Sequence, residues 1–98
     1  SLFPGTPALD ETRNWVVMNE VPSLGARRMS FTYPLINASR RVWILATGGA
    51  KREIVMQCLR APAAGEPGGA ALRQRWPVVG VRPHEGELVW WLDEAAAG

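Results

Sequence analysis

One cysteine and one histidine are all that this chain of 98 residues offers of the side chains most used for metal binding and nucleophile activation. A lone Cys58 cannot close an internal disulfide, and its place on the apolar side of a helix predicted over Ala50 to Arg60 reads as core in a reducing compartment, with a reactive thiol as the weaker reading. A lone His84 excludes a histidine-rich metal site, and Glu85 and Glu87 beside it lack the further ligands that a metal would need. No apolar run approaches the roughly 18 residues of a membrane span, so no membrane is expected as partner. No segment with a basic, an apolar and a small-residue region opens the sequence, which argues against secretion and for the cytoplasm. Like charges are not gathered either. Arg27 and Arg28, Arg40 and Arg41, Lys51 and Arg52, and Arg73 and Arg75 are interleaved with acids, so a formal net charge of +2 does not point to nucleic acid. There is no internal repeat.

What is present fits a packed globular protein: 47% of the residues are hydrophobic and 20% charged, close to ordinary usage. The length allows one domain at most, burying about 60–70% of its unfolded surface. The beginning is unusual, because Leu2 and Phe3 place two large apolar groups where termini are commonly polar. Pro7 to Thr12 reads as a short helix. Asn14 to Val21 is rich in strand formers and stops at Pro22, and Pro22-Ser23-Leu24-Gly25 is a turn. Met29, Phe31 and Tyr33 alternate with Ser30 and Thr32, the period of a half-buried strand, which Pro34 ends. Leu35 to Arg40 is read as a single helical turn. Val42 to Ala46 is a continuous apolar run of strand length, as expected of a strand covered on both faces. In the helix that follows, Ile54, Val55, Cys58 and Leu59 share one side, with Lys51, Arg52 and Gln57 turned away. Residues 61–75 are expected to be a mobile loop, from the glycines and prolines between Ala61 and Ala71. Pro77 to Val81 and Leu88 to Leu92 read as two further strands, and Asp93 as the cap of a last alanine-rich helix. The alternation of strands and helices gives an α/β class.

One stretch carries chemistry. The strand Val42 to Ala46 runs through Thr47-Gly48-Gly49 into a helix opened by Lys51, which is the outline of a phosphate site. Helix starts present unpaired N–H groups and a partial positive charge, so a cation there is disfavoured by roughly 0.3–1 kcal/mol unless an anion offsets it. Gly48, Gly49 and Lys51 are therefore the candidate anion-binding residues. For Lys51 the competing reading is a solvated surface lysine, the commonest fate of that residue.

Several motifs, taken in order, resemble a known family: Ser-Leu-Phe-Pro-Gly at 1–5, Arg28 through Pro34, Ile36-Asn37-Ala38, Thr47-Gly48 with Lys51, and Arg82-Pro83 with Gly86, Leu88, Trp90, Leu92-Asp93 and Ala95-Ala96. Together they are similar to the C-terminal part of bacterial 6-phosphogluconolactonases, in the family that also holds glucosamine-6-phosphate deaminase. The Arg-Pro…Gly-x-Leu-x-Trp-x-Leu-Asp ending looks like the lactonase branch. The resemblance implies a fold class, the C-terminal half of a Rossmann-like three-layer α/β sheet fold. It implies hydrolysis of 6-phospho-D-glucono-1,5-lactone to 6-phosphogluconate in the pentose phosphate pathway, with no metal and no organic cofactor. It also implies a histidine general base in a Gly-His-Thr-Ala segment directly before Ser1, and thus no catalytic residue within this chain. The sugar-phosphate lactone is then the small-molecule partner, with a missing N-terminal half or a second chain as the protein partner.

Two residues carry over by position. Lys51 matches the lysine that contacts the sugar phosphate. Arg28 matches the arginine opening the strand before Pro34, where a planar guanidinium can grip phosphate oxygens in a bidentate manner; a strand-end arginine paired with an acid is the equal alternative. At Ser23 many relatives carry a lysine, so the affinity for phosphate is expected to be weaker unless Arg27 substitutes. His84 matches a variable turn position and is not read as the base. Trp15, Trp43 and Trp90 are expected in the core. Three functions follow in order of preference: a lactonase completed by residues outside this chain, a catalytically silent sugar-phosphate-binding or interaction module, and a deaminase-like isomerase. The apolar strands lead to one more expectation, that the chain is found paired with its own N-terminal segment or with another copy.

Overall fold

The computed structural model describes residues 1–63 and 65–98; Ala64, within the expected loop, lies outside the described residues. There are two small sheets, with helices between and after them, in keeping with the α/β class. The first sheet is an antiparallel hairpin of β1 (Val16–Val21) and β2 (Ala26–Phe31), with Val16 opposite Phe31 and Val21 opposite Ala26. Its connection is a short 3-10 turn, Pro22–Leu24, which Gly25 closes in the left-handed region at φ 59°, a conformation that glycine adopts without steric cost. The second sheet pairs β3 (Arg41–Ala46) with β4 (Glu87–Leu92) in parallel, Val42 opposite Leu88 and Ile44 opposite Trp90. Parallel strands need a crossover, and here it contains α2 (Arg52–Leu59) and α3 (Gly69–Arg75). Between the sheets lies the single turn α1 (Tyr33–Asn37), and α4 (Glu94–Ala97) follows β4.

The core gathers where these elements meet. Leu9, Tyr33 and Val81 are buried together, with Leu2, Ile36, Val42, Ile44, Val78 and Leu88 packed against them. Leu9 comes from a 3-10 turn, Pro7–Asp10, that is strapped to β1 by Asn19. The Asn19 side chain accepts from Ala8 N–H at 3.2 Å and donates to Thr6 Oγ1 at 2.9 Å and to the Ser1 carbonyl at 3.1 Å. Asn37 does similar work on the other side, donating to the Gly80 carbonyl at 3.0 Å and accepting from Arg82 N–H at 2.7 Å.

Several expectations are corrected. Pro77–Gly80 is a 3-10 turn rather than part of a strand; the Tyr33 hydroxyl donates to the Pro77 carbonyl and the ring of Tyr33 lies against Gly80, which bends the segment away from any sheet. The later part of the expected loop at 61–75 is helical, as α3, entered through Gly68 at φ 83°. Tyr33 and Pro34 begin α1 instead of closing a strand, a position where proline loses no helical hydrogen bond. The β2 alternation is real, but its inward side is polar: Ser30 is buried while Met29 and Phe31 are 70% and 61% exposed. β3 is covered on one face only. Val42 and Ile44 turn inward, while Trp43 and Leu45 are exposed. Trp15 is also exposed and Trp90 only half-buried, so neither they nor Trp43 belong to the core. Leu59, placed by its periodicity on the inner side of α2, is 51% exposed; Val55 and Cys58 are the buried residues there. Among the described residues no helix is long and apolar enough to cross a membrane.

Candidate functional site

The turn from β3 into α2 is shaped by glycine and by a residue distant in sequence. Gly48 stands at φ 91°, which strongly favours glycine. Its N–H donates to both carboxylate oxygens of Asp93, at 3.1 Å each. Lys51 N–H turns back to the Gly48 carbonyl at 3.2 Å, forming a 3-10 turn over Gly49–Lys51 that leads directly into α2. Of the donors at this helix start, the N–H of Gly48 is thus taken, while Gly49 and Ala50 are exposed and their N–H groups have no partner among the described residues, as is usual for the first N–H groups of a helix. Lys51 is exposed as well, with no salt bridge among the described residues. A cation of this kind beside open amides is suited to holding an oxyanion, such as phosphate.

Arg28 sits in the middle of β2 opposite Asn19. It is exposed and, among the described residues, not paired with an acid. Its guanidinium lies 5.8 Å from the centroid of the Phe3 ring, while the neighbouring Arg27 reaches Glu20 at 3.8 Å. Neither Lys51 nor Arg28 lies in the wall of the clefts that His84 borders.

The remaining candidates fall into place around the core. His84 is exposed in the turn before β4, tied by its backbone N–H to the Asn37 carbonyl at 3.0 Å. It borders two open clefts, one lined by Tyr33, Asn37 and Arg73 and the other by Asn37, Arg40 and Gly86. No buried acid among the described residues orients its ring, as a catalytic base would need. Among the described residues there is no group of histidine, cysteine and acidic side chains that could hold a metal. The Cys58 thiol is buried and burial pushes its pKa up, the state of an inert core thiol rather than a nucleophile. The residue that sequence reading passed over is Asp93 in its second role. Its capping of α4 by accepting from Ala96 N–H at 2.8 Å was foreseeable from its position before an alanine run; its hold on Gly48 has no local signal.

Known proteins are similar to this chain along its length. The sequence model described as glucosamine-6-phosphate isomerases/6-phosphogluconolactonase matches residues 1–90. The chain is 41% identical over 93 residues to the GDH/6PGL endoplasmic bifunctional protein of Homo sapiens, covering 95% of this chain and 11% of that protein. It is 38% identical over 98 residues to the 6-phosphogluconolactonase of Homo sapiens, covering 99% of this chain and 34% of that protein. The crystal structure of devB protein superposes with a TM-score of 0.76 at 33% identity, over 99% of this chain and 37% of the other. The likeness therefore extends beyond bacterial enzymes, and the chain spans about a third or less of the length of these relatives. The chain belongs to the family of glucosamine-6-phosphate isomerases and 6-phosphogluconolactonases.

Proposed function

We propose that the protein is a 6-phosphogluconolactonase, hydrolysing 6-phospho-D-glucono-1,5-lactone to 6-phosphogluconate, and that residues 1–98 supply its phosphate-binding part. The observation that carries this reading is the likeness along 98 residues to a protein named 6-phosphogluconolactonase. The turn geometry supports it: the open amides of Gly49 and Ala50 and the ammonium of Lys51 offer donors for a phosphate, with Gly48 shaping the turn that presents them. Arg28, exposed on β2, is the second phosphate contact in this reading. Water attack on the lactone carbonyl needs a general base, a contribution of about 10²–10⁴-fold. His84, exposed and without an orienting acid, is not that base, so it comes from residues outside 1–98. The same residues, on the same chain or a second one, cover the outer face of β3 and β4, and the whole acts in the cytoplasm as one domain of which this chain is a part.

The test is lactone hydrolysis by the complete protein, followed against the spontaneous background. Lys51→Ala is expected to raise KM by the equivalent of about 1.5–3 kcal/mol, the range of a charge-assisted contact, with no comparable effect from His84→Ala. A complete protein that hydrolyses no lactone above background, or that releases ammonia from glucosamine-6-phosphate instead, refutes the proposal.

A further inference from the structure

The Leu92-Asp93…Ala95-Ala96 ending has a part to play beyond closing the chain's last helix. We infer that Asp93 is a positioning residue for the phosphate-binding turn, acting through Gly48; the inference rests on the reading that this turn receives the sugar phosphate. Capping α4 accounts for one contact of the carboxylate, from Ala96 N–H to Oδ1. It does not account for the bond from Gly48 N–H, which reaches both oxygens and joins residues 45 apart in sequence. A charge-assisted contact of this kind is stronger than a neutral one. Here it fixes the peptide plane before Gly48, and with it the direction in which the next two amides point. The other end of α4 meets the same region: a Cβ on Gly98 would fall 2.7 Å from Arg52 Nε, so Arg52, the first residue of α2, packs against the end of α4.

Charge cannot be the purpose of this carboxylate, since a negative group near a phosphate weakens its binding. Geometry is what it supplies. Oδ1 alone already accepts from both Gly48 and Ala96, so an asparagine can keep those two bonds through its carbonyl oxygen while losing the charge and the second acceptor for Gly48 N–H. The neutral isostere should therefore keep part of what alanine loses.

The experiment compares Asp93→Ala and Asp93→Asn in the complete protein by lactone kinetics, by titration with inorganic phosphate, and by the resonance of the Gly48 amide proton. In Asp93→Ala the expected result is a KM and a phosphate dissociation constant raised about five- to tenfold, corresponding to one lost hydrogen bond of about 1 kcal/mol or slightly more. kcat should stay within about twofold, since the lost contact bears on ground state and transition state alike, and the Gly48 resonance should move upfield. Asp93→Asn should restore part of the affinity and part of the shift, and so fall between the acid and alanine. If Asp93→Ala leaves KM and the Gly48 resonance unchanged, or if Asp93→Asn is as impaired as alanine, the positioning role is refuted while the lactonase reading stands. If the unaltered protein neither turns over lactone nor binds phosphate, it is the lactonase reading that falls.

Discussion

Replacing Asn19 by leucine tests how far the fold depends on a buried polar strap. Asn19 is 1% exposed on β1 and joins three parts of the N-terminal segment. Leucine has the same four branched side-chain heavy atoms and somewhat more volume, so no cavity opens, but each hydrogen bond is lost. The consequences differ among the three partners. The Ser1 carbonyl is on an exposed residue and turns to water at little cost. Thr6 Oγ1 loses a donor yet keeps its own bond to the Phe3 carbonyl at 2.6 Å, a loss of about 0.5–1.5 kcal/mol. Ala8 is 3% exposed and its N–H has no other acceptor among the described residues, so it bears the desolvation penalty of an unmade bond, about 1–3 kcal/mol. Burying the leucine side chain returns about 1.5 kcal/mol or slightly more. The balance is a destabilisation of about 1–2 kcal/mol. In the larger domain of which this chain is a part, 1 kcal/mol moves Tm by about 2–4 °C, so a fall of about 2–8 °C is expected in thermal unfolding followed by circular dichroism, together with faster amide exchange at Ala8. A Tm equal to that of the unaltered protein, or higher, with Ala8 still protected, would refute the reasoning, because the strap would then contribute no more than an apolar side chain does.

Two further outcomes follow from buried contacts. Tyr33 is the one tyrosine, and burial pushes its pKa from the ordinary 10.0 up to about 12, against the opposing pull of Arg73 and with a smaller push from Asp10. Its neutral form is therefore favoured by folding: this stability is fully present below pH 10, the unfolded value, and is lost as pH rises through about 12. An ultraviolet titration in which the phenolate forms near pH 10 in the folded protein would contradict that burial. Gly86→Ala would set a Cβ against the backbone carbonyl oxygens of Ser39 and Arg40, which cannot swing aside as a side chain can. A loss of about 1–3 kcal/mol is expected from such overpacking, measured as a lower denaturant midpoint, and an unchanged midpoint would show that the backbone gives way.

Local signals carried the sequence reading where the local environment decides. The apolar run in β3, the amphipathic pattern that buries Val55 and Cys58 in α2, and the Asp93 cap all depend on neighbours a few residues away. Alternation in β2 gave the period but not the side that faces in, because the inward positions are polar residues satisfied from afar. Thr32 is fully buried and donates to the Asn14 carbonyl at 2.6 Å. Pro77 to Val81 has the composition of a strand, but the hydroxyl and ring of Tyr33 and the amide of Asn37 hold it in a turn, contacts across more than 40 positions that no window on the sequence contains. The candidate site divides in the same way. Gly48 and Lys51 could be read from the turn they make, whereas Asp93 could be found only once β3 and β4 lay side by side.

That parallel pairing has a consequence for the order in which the protein comes to life. Arg41 lies beside Glu87, so every contact between the two strands closes a loop of more than 40 residues, at an entropic cost of about 3 kcal/mol relative to a single residue. The hairpin of β1 and β2 needs only a tight turn and can form early on the ribosome. The Gly48 turn is made near the middle of this segment, but the carboxylate that sets it arrives only with Asp93, after β4 has docked. During synthesis, the Gly48 turn is therefore among the last features to take its final shape, and a nascent chain stopped before β4 would display Lys51 on a turn still free to move.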